Sequence, residues 1–206
     1  MTKKNIKLSI ILTAMLVSIV GIVVGTNAYF SSKDEVTNAF VSGDVDIEVD
    51  EEFDPPENWK GESYDKKVKV KNNGNVNTLI RVAIVPRWVD ENGKAWAGDT
   101  NIIKLNWASA NIADASTSES NKWIDGGDGY YYYNTLVPKD GSTEILLESV
   151  SADIPKELQS RYNGKKLIVD VKAEAVQATK EAYEKTWSNI SNDSIKTCLL
   201  YTSDAA

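Results

Sequence analysis

The chain has 206 residues, 26% of them charged, and a formal net charge of −7. That balance argues against a nucleic-acid binder, whose phosphate contacts need clustered lysine and arginine. There is no histidine and a single cysteine, Cys198, which excludes a Ser-His-Asp triad, a Cys-His dyad, an H-E-x-x-H zinc site and an intrachain disulfide.

Lys3, Lys4 and Lys7 precede an uncharged apolar run over residues 8–25. The run exceeds the ~7–15 residues of a signal-peptide core and sits at the short edge of a ~17–25-residue membrane span. Length therefore leaves both readings open, and the flank favours export. Thr26 and Ala28 place small residues third and first before a cut, so Tyr29 would begin the mature chain. No basic cluster follows to stop transfer, and lysines ahead of the run keep the N-terminus inside. Cleaved or tethered, the remainder is expected outside the cytoplasm. No cysteine lies near the run, which rules out a lipoprotein anchor.

DVDIEVD (44–50) alternates, with Val45, Ile47 and Val49 on one face and acids on the other. KVKVK (67–71) does the same with lysines, the mark of half-buried antiparallel strands. EEFDPPENWKGES (51–63) connects the two. NNGN (72–75) turns into NTLIRVAIVPRWV (77–89), a more apolar strand whose Pro86 should lie at a sheet edge or bulge. DENGKAW (90–96) sets Asn-Gly between strand-like flanks, a strong hairpin signal. IIKLNW (102–107) reads as a strand and SANIADASTSESN (109–121) as a polar loop. KWIDGGDGYYYYNTLV (122–137) reads as strand, glycine turn and tyrosine strand. PKDG (138–141) turns into STEILLESV (142–150). KKLIVDVKAEAVQA (165–178) is the last strong strand. TKEAYEKTWSNI (179–190) has the spacing of a short helix, with Tyr183 and Trp187 one turn apart.

About eight strands without repeat or internal linker predict one all-β domain, a jelly-roll-like antiparallel β-sandwich over residues 29–197. A signal helix (1–28) precedes it, and the short C-terminal helix closes it. The tail CLLYTSDAA (198–206) resembles a translated sequencing adapter and is set aside from the fold.

Three groups of residues invite chemistry. Asp125 and Asp128 in DGGDG could share a calcium ion, but the EF-hand pattern is absent and a hairpin turn is the stronger reading. The tyrosines 130–133 are either a binding surface or a strand with one pair in the core and the other at the surface; the strand is favoured. Trp88, Trp96, Trp107 and Trp123 either line a carbohydrate groove or pack in the core, and packing is favoured. No carboxylate pair stands out among the many acids. There is no phosphate loop and no metal-ligand cluster. The residues alone point to no active site and no cofactor.

GTNAYFSSKDEVTNAFVSGDVDIEV (25–49) resembles the N-terminal region of proteins exported by the dedicated signal peptidase SipW. These are the biofilm fibre protein TasA, the camelysin-like CalY proteins and the clostridial alternate signal-mediated exported proteins. In them an aromatic pair follows the apolar run, then a polar spacer and F-x-x-G-x-[LV]-x-[IL]. Tyr29-Phe30, Phe40, Gly43, Val45 and Ile47 match that pattern. VKNNGNVNTLIRVAI (70–84) matches weakly, while residues 123–147 and 169–178 look most like the clostridial branch. The resemblance spans most of residues 8–178.

It implies a jelly-roll sandwich with a structural role in the extracellular matrix or at the cell surface. It implies a SipW-type signal peptidase as partner, and self-association or contact with other matrix proteins. The membrane would be met only through an uncleaved signal segment. In TasA-like fibres the freed N-terminal segment of one subunit completes the sheet of the next, by backbone hydrogen bonds. Such a head-to-tail contact does not close, so it makes a filament. On that reading Tyr29, Phe30, Val36 and Phe40 are the buried anchors; the alternative is that the segment pairs within its own sheet. Camelysin-like members carry a metallo-endopeptidase label, which is not expected to hold without histidine ligands. A secreted glycan- or host-binding module is the remaining alternative.

Overall fold

The computed structural model describes residues 35–38, 45–52, 60–188, 190 and 192–204. All lie in the unit Lys33–Ala206. Among the described residues, the strands in chain order are β1 (Glu35–Asn38), β2 (Ile47–Glu52), β3 (Tyr64–Asn72), β4 (Thr78–Val89), β5 (Ile103–Trp107), β6 (Ile112–Ala113), β7 (Trp123–Asp125), β8 (Tyr131–Tyr133), β9 (Leu147–Ala152) and β10 (Lys166–Gln177). The α-helices there are α1 (Gln159–Tyr162), α2 (Lys180–Thr186) and α3 (Asp193–Asp204). One sheet has the order β1-β10-β4-β8-β7-β6 and the other β2-β3-β9-β5.

Charge and alternation set the register of the second sheet. β2 and β3 pair antiparallel, bringing Glu48 opposite Lys71, Asp50 opposite Lys69 and Glu52 opposite Lys67. Opposite charges across a strand pair are favourable, and a one-residue slip would expose the valines. Lys69 Nζ lies 3.0 Å from Asp50. On the other face Val45, Ile47, Val49, Val68 and Val70 are buried. The NNGN turn is held by Asn72, which is fully buried. Its side-chain amide donates to the Val76 and Val137 carbonyls, and its Oδ1 accepts from Gly74 N–H.

The inner faces of both sheets meet in one core. Val68, Val70, Leu147 and Val150 from one sheet pack with Ile80, Val82, Trp123, Val169 and Val171 from the other. The sandwich expectation holds at this level, but the all-antiparallel pattern does not. β1 runs parallel to β10, and β6 runs parallel to β7. The polar stretch 109–121 is not loop throughout, because Ser109–Asn111 forms a 3₁₀ turn and β6 follows it. Asn-Gly does make its turn, with Gly93 at φ 79°. The hairpin's return arm is short, however, consisting of the Val89–Ala95 bridge and Trp96 N–H bonding to the Trp88 carbonyl.

Pro86 sits as expected. β8 pairs with β4 at Arg81 and Val82, so among the described residues Pro86 has a ladder partner on the β10 side alone, Val169. The four named tryptophans favour the core: Trp88 and Trp123 are buried, while Trp96 and Trp107 pack partly buried against it.

A second apolar cluster lies on the outer face of the first sheet. Leu79, Ile124, Tyr132 and Val176 are covered by Ala182, Tyr183, Trp187, Ile190, Ile195 and Leu199. This explains why β4 opens with Leu79 to Val82 buried on both faces. Thr179 caps α2 by accepting from Ala182 N–H, as a threonine N-cap should. Residues 198–204 continue α3, with Leu199 packed into the same cluster.

Candidate functional site

β10 has no glycine or proline and alternates cleanly, so it runs for twelve residues. One side pairs with β4 along its full length, from Lys166–Val89 to Gln177–Thr78. The other side carries β1, in the parallel register Glu35–Lys172, Val36–Ala173, Thr37–Glu174 and Asn38–Ala175. Among the described residues, Lys166 to Val171 have no ladder partner on that side. The core-facing positions of β10 are Leu167, Val169, Val171, Ala173 and Ala175. They shrink to alanine where β1 lies alongside.

The outer face beside this edge holds a buried polar cluster that sequence reasoning missed. Arg81 on β4 and Glu174 on β10 are both buried. Glu174 Oε2 accepts from Arg81 Nε at 2.8 Å and from Nη2 at 2.6 Å. Its Oε1 accepts from the Tyr130 hydroxyl at 2.9 Å and lies 2.9 Å from Lys172 Nζ. The Arg81 guanidinium lies 4.1 Å from the Tyr130 ring centre and 4.8 Å from that of Trp187. Burial pushes the Glu174 carboxyl up, but hydrogen bonds from Lys172, Arg81 and Tyr130 outweigh it and hold the group below the usual carboxylate range.

The tyrosine run belongs to both clusters. Tyr131 and Tyr133 face the inter-sheet core, at 4.4 Å from Trp107 and 5.0 Å from Trp123 between ring centres. The other pair was expected at the surface; it is Tyr130 and Tyr132. Instead they lie under the C-terminal segment with Trp187 and Arg81. The C-terminal helices cover that face, which strand alternation alone does not reveal. Burial and the bond to Asp128 push the Tyr132 hydroxyl up.

Trp187 is buried, and its Nε1 has no hydrogen-bond partner among the described residues. Trp187→Phe removes that unsatisfied N–H and keeps an aromatic ring over Arg81. It is expected to cost under about 1 kcal/mol, against about 3 for Trp187→Ala, read from urea midpoints.

Of the residues singled out in the sequence, Thr26, Ala28, Tyr29, Phe30 and Phe40 lie outside the described residues. Val36 is in β1, across from Ala173. Asp125 Oδ1 accepts from Gly127 N–H, and Asp128 accepts from Tyr130 N–H and the Tyr132 hydroxyl. These bonds belong to the hairpin, with Gly127 and Gly129 at positive φ.

Residues 1–101 match the family model described as camelysin metallo-endopeptidase. Over that stretch, just under half of its length, the chain is similar to the TasA/CalY camelysin-like family. The matched stretch includes β1 to β4, and so both the strand laid on β10 and the arginine of the polar cluster. No curated protein and no solved structure matches the chain significantly. The donor set of this camelysin-like chain does not fit the zinc its family label implies. It has no histidine, and among the described residues no three of His, Cys, Asp and Glu are grouped to hold a metal ion. No helix among the described residues is long and apolar enough to cross a membrane.

Proposed function

We propose that this chain is a secreted, jelly-roll-like structural protein of the extracellular matrix or cell surface. It is released by a SipW-type signal peptidase after Ala28 and joins its own copies by strand addition. The observation that carries this reading is the far side of the twelve-residue strand β10, where, among the described residues, Glu35–Asn38 of the N-terminal segment lie alongside in parallel. The same segment of a neighbour makes the same backbone bonds, so exchange between copies costs little beyond association itself. The family match supports the assignment, and the acidic net charge keeps free subunits apart.

Electron microscopy of the secreted protein should reveal filaments, and deletion of residues 29–34 should abolish them. Filaments that persist unchanged after the deletion would refute strand addition. N-terminal sequencing of the extracellular form should begin at Tyr29; an intact Met1 would mean a tether. The family label favours one rival, a surface endopeptidase. Chelator-sensitive cleavage of casein by the purified protein would put that rival in its place.

A further inference from the structure

Alternation along β10 sends Ile168, Asp170, Lys172, Glu174 and Val176 to the face opposite the core. Lys172 is the one cation among these five, with a carboxylate two residues away on either side. Asp170 is engaged by Arg87, and both oxygens of Glu174 are taken by Arg81, Tyr130 and Lys172. The Lys172 side chain is 38% exposed, so its ammonium reaches solvent beside the edge where β1 lies. In the register observed, Glu35 stands across from Lys172.

Shifted registers meet a penalty. A one-residue slip exchanges the two faces of the incoming strand. A two-residue slip in either direction sets Glu35 across from Asp170 or Glu174, and like charges directly opposite are destabilising.

We propose that Lys172 selects the register and the identity of the strand that occupies the β10 edge. It admits a strand with a carboxylate at the register position across from Lys172, as Glu35 is here. It rejects one with a base there. The partner that fits is the N-terminal segment of a second copy of this chain, so the inference rests on the strand-exchange reading above.

A charge-reversal cycle on the full chain tests it, with Glu35→Lys, Lys172→Glu and the double variant. The readouts are the critical concentration for assembly and amide-exchange protection over residues 35–38. Each single reversal should weaken both by about three- to tenfold, and the double should return within about twofold of the parent. Single effects that simply add in the double overturn the inference. If Lys172→Glu does not fold by circular dichroism, the Glu35→Gln and Lys172→Gln cycle replaces it, with a coupling of about two- to fivefold. A parent chain that stays monomeric at every concentration overturns strand exchange but leaves selection to be judged. Protection over residues 35–38 in the monomer then reads the same cycle, and absent coupling there overturns the selection.

Discussion

Arg81→Ala is expected to remove about 3–5 kcal/mol of stability, a fall of about 10 °C in Tm for a domain of this size. Much of that loss comes from what is left behind. Glu174 stays buried, and Oε2 loses both bonds from the guanidinium. An uncompensated buried carboxylate is costly, whereas replacing both partners by apolar groups is often nearly neutral. Arg81→Leu combined with Glu174→Leu should therefore be more stable than Arg81→Ala alone. Lys172 and Tyr130 still reach Oε1 in Arg81→Ala, which keeps the cost from rising further.

The pH dependence follows from the same cluster. The Glu174 carboxyl titrates lower in the folded chain than in the unfolded one. Its contribution is therefore complete above the unfolded value of about 4.3 and is lost as the pH falls through the lower folded value. Glu174→Gln should flatten that acid limb of a stability-against-pH curve and leave the slope between pH 6 and 8 unchanged. A parent and variant with parallel acid limbs would show that Glu174 is not held low.

Trp123→Ala is the other large effect, at about 3–5 kcal/mol. Trp123 is fully buried between the sheets, packs against the Tyr133 ring at a tilt of 54° with centres 5.0 Å apart, and donates Nε1–H to the Glu144 carbonyl at 2.9 Å. Its removal leaves a cavity lined by β-sheet side chains that are anchored on both flanks and cannot collapse into it. Trp123→Phe keeps most of the ring and loses only the hydrogen bond, so about 1–2 kcal/mol is expected. Urea unfolding followed by circular dichroism separates the two, since fluorescence would change with the tryptophan itself.

The strands were legible wherever one face is core and the other solvent. Val45-Ile47-Val49 and Val68-Val70 stand out because charged neighbours alternate with them, and the acid–lysine match even implies their register. The tyrosine strand was half legible. Its period is plain, but what covers Tyr130 and Tyr132 comes from residues 182–199, fifty or more positions away. Arg81 and Glu174 were hidden for a similar reason. Each looks like an ordinary outward charge in its own strand, and only the register of β4 on β10 makes them a pair. The parallel β1 left no local mark, because four residues of mixed polarity carry no usable period. Asn-Gly signalled its turn correctly, yet a turn does not oblige the chain beyond it to stay in the same sheet.

The parallel course of β1 on β10 has a mechanical side. In a parallel pair, the N-terminal end of one strand and the C-terminal end of the other lie at opposite ends of the ladder. Tension applied through those two ends pulls along the strand axis, so the hydrogen bonds share the load and must fail together. An antiparallel hairpin pulled by its free ends instead peels one bond at a time. A short parallel ladder loaded in shear can therefore outlast a longer one that unzips.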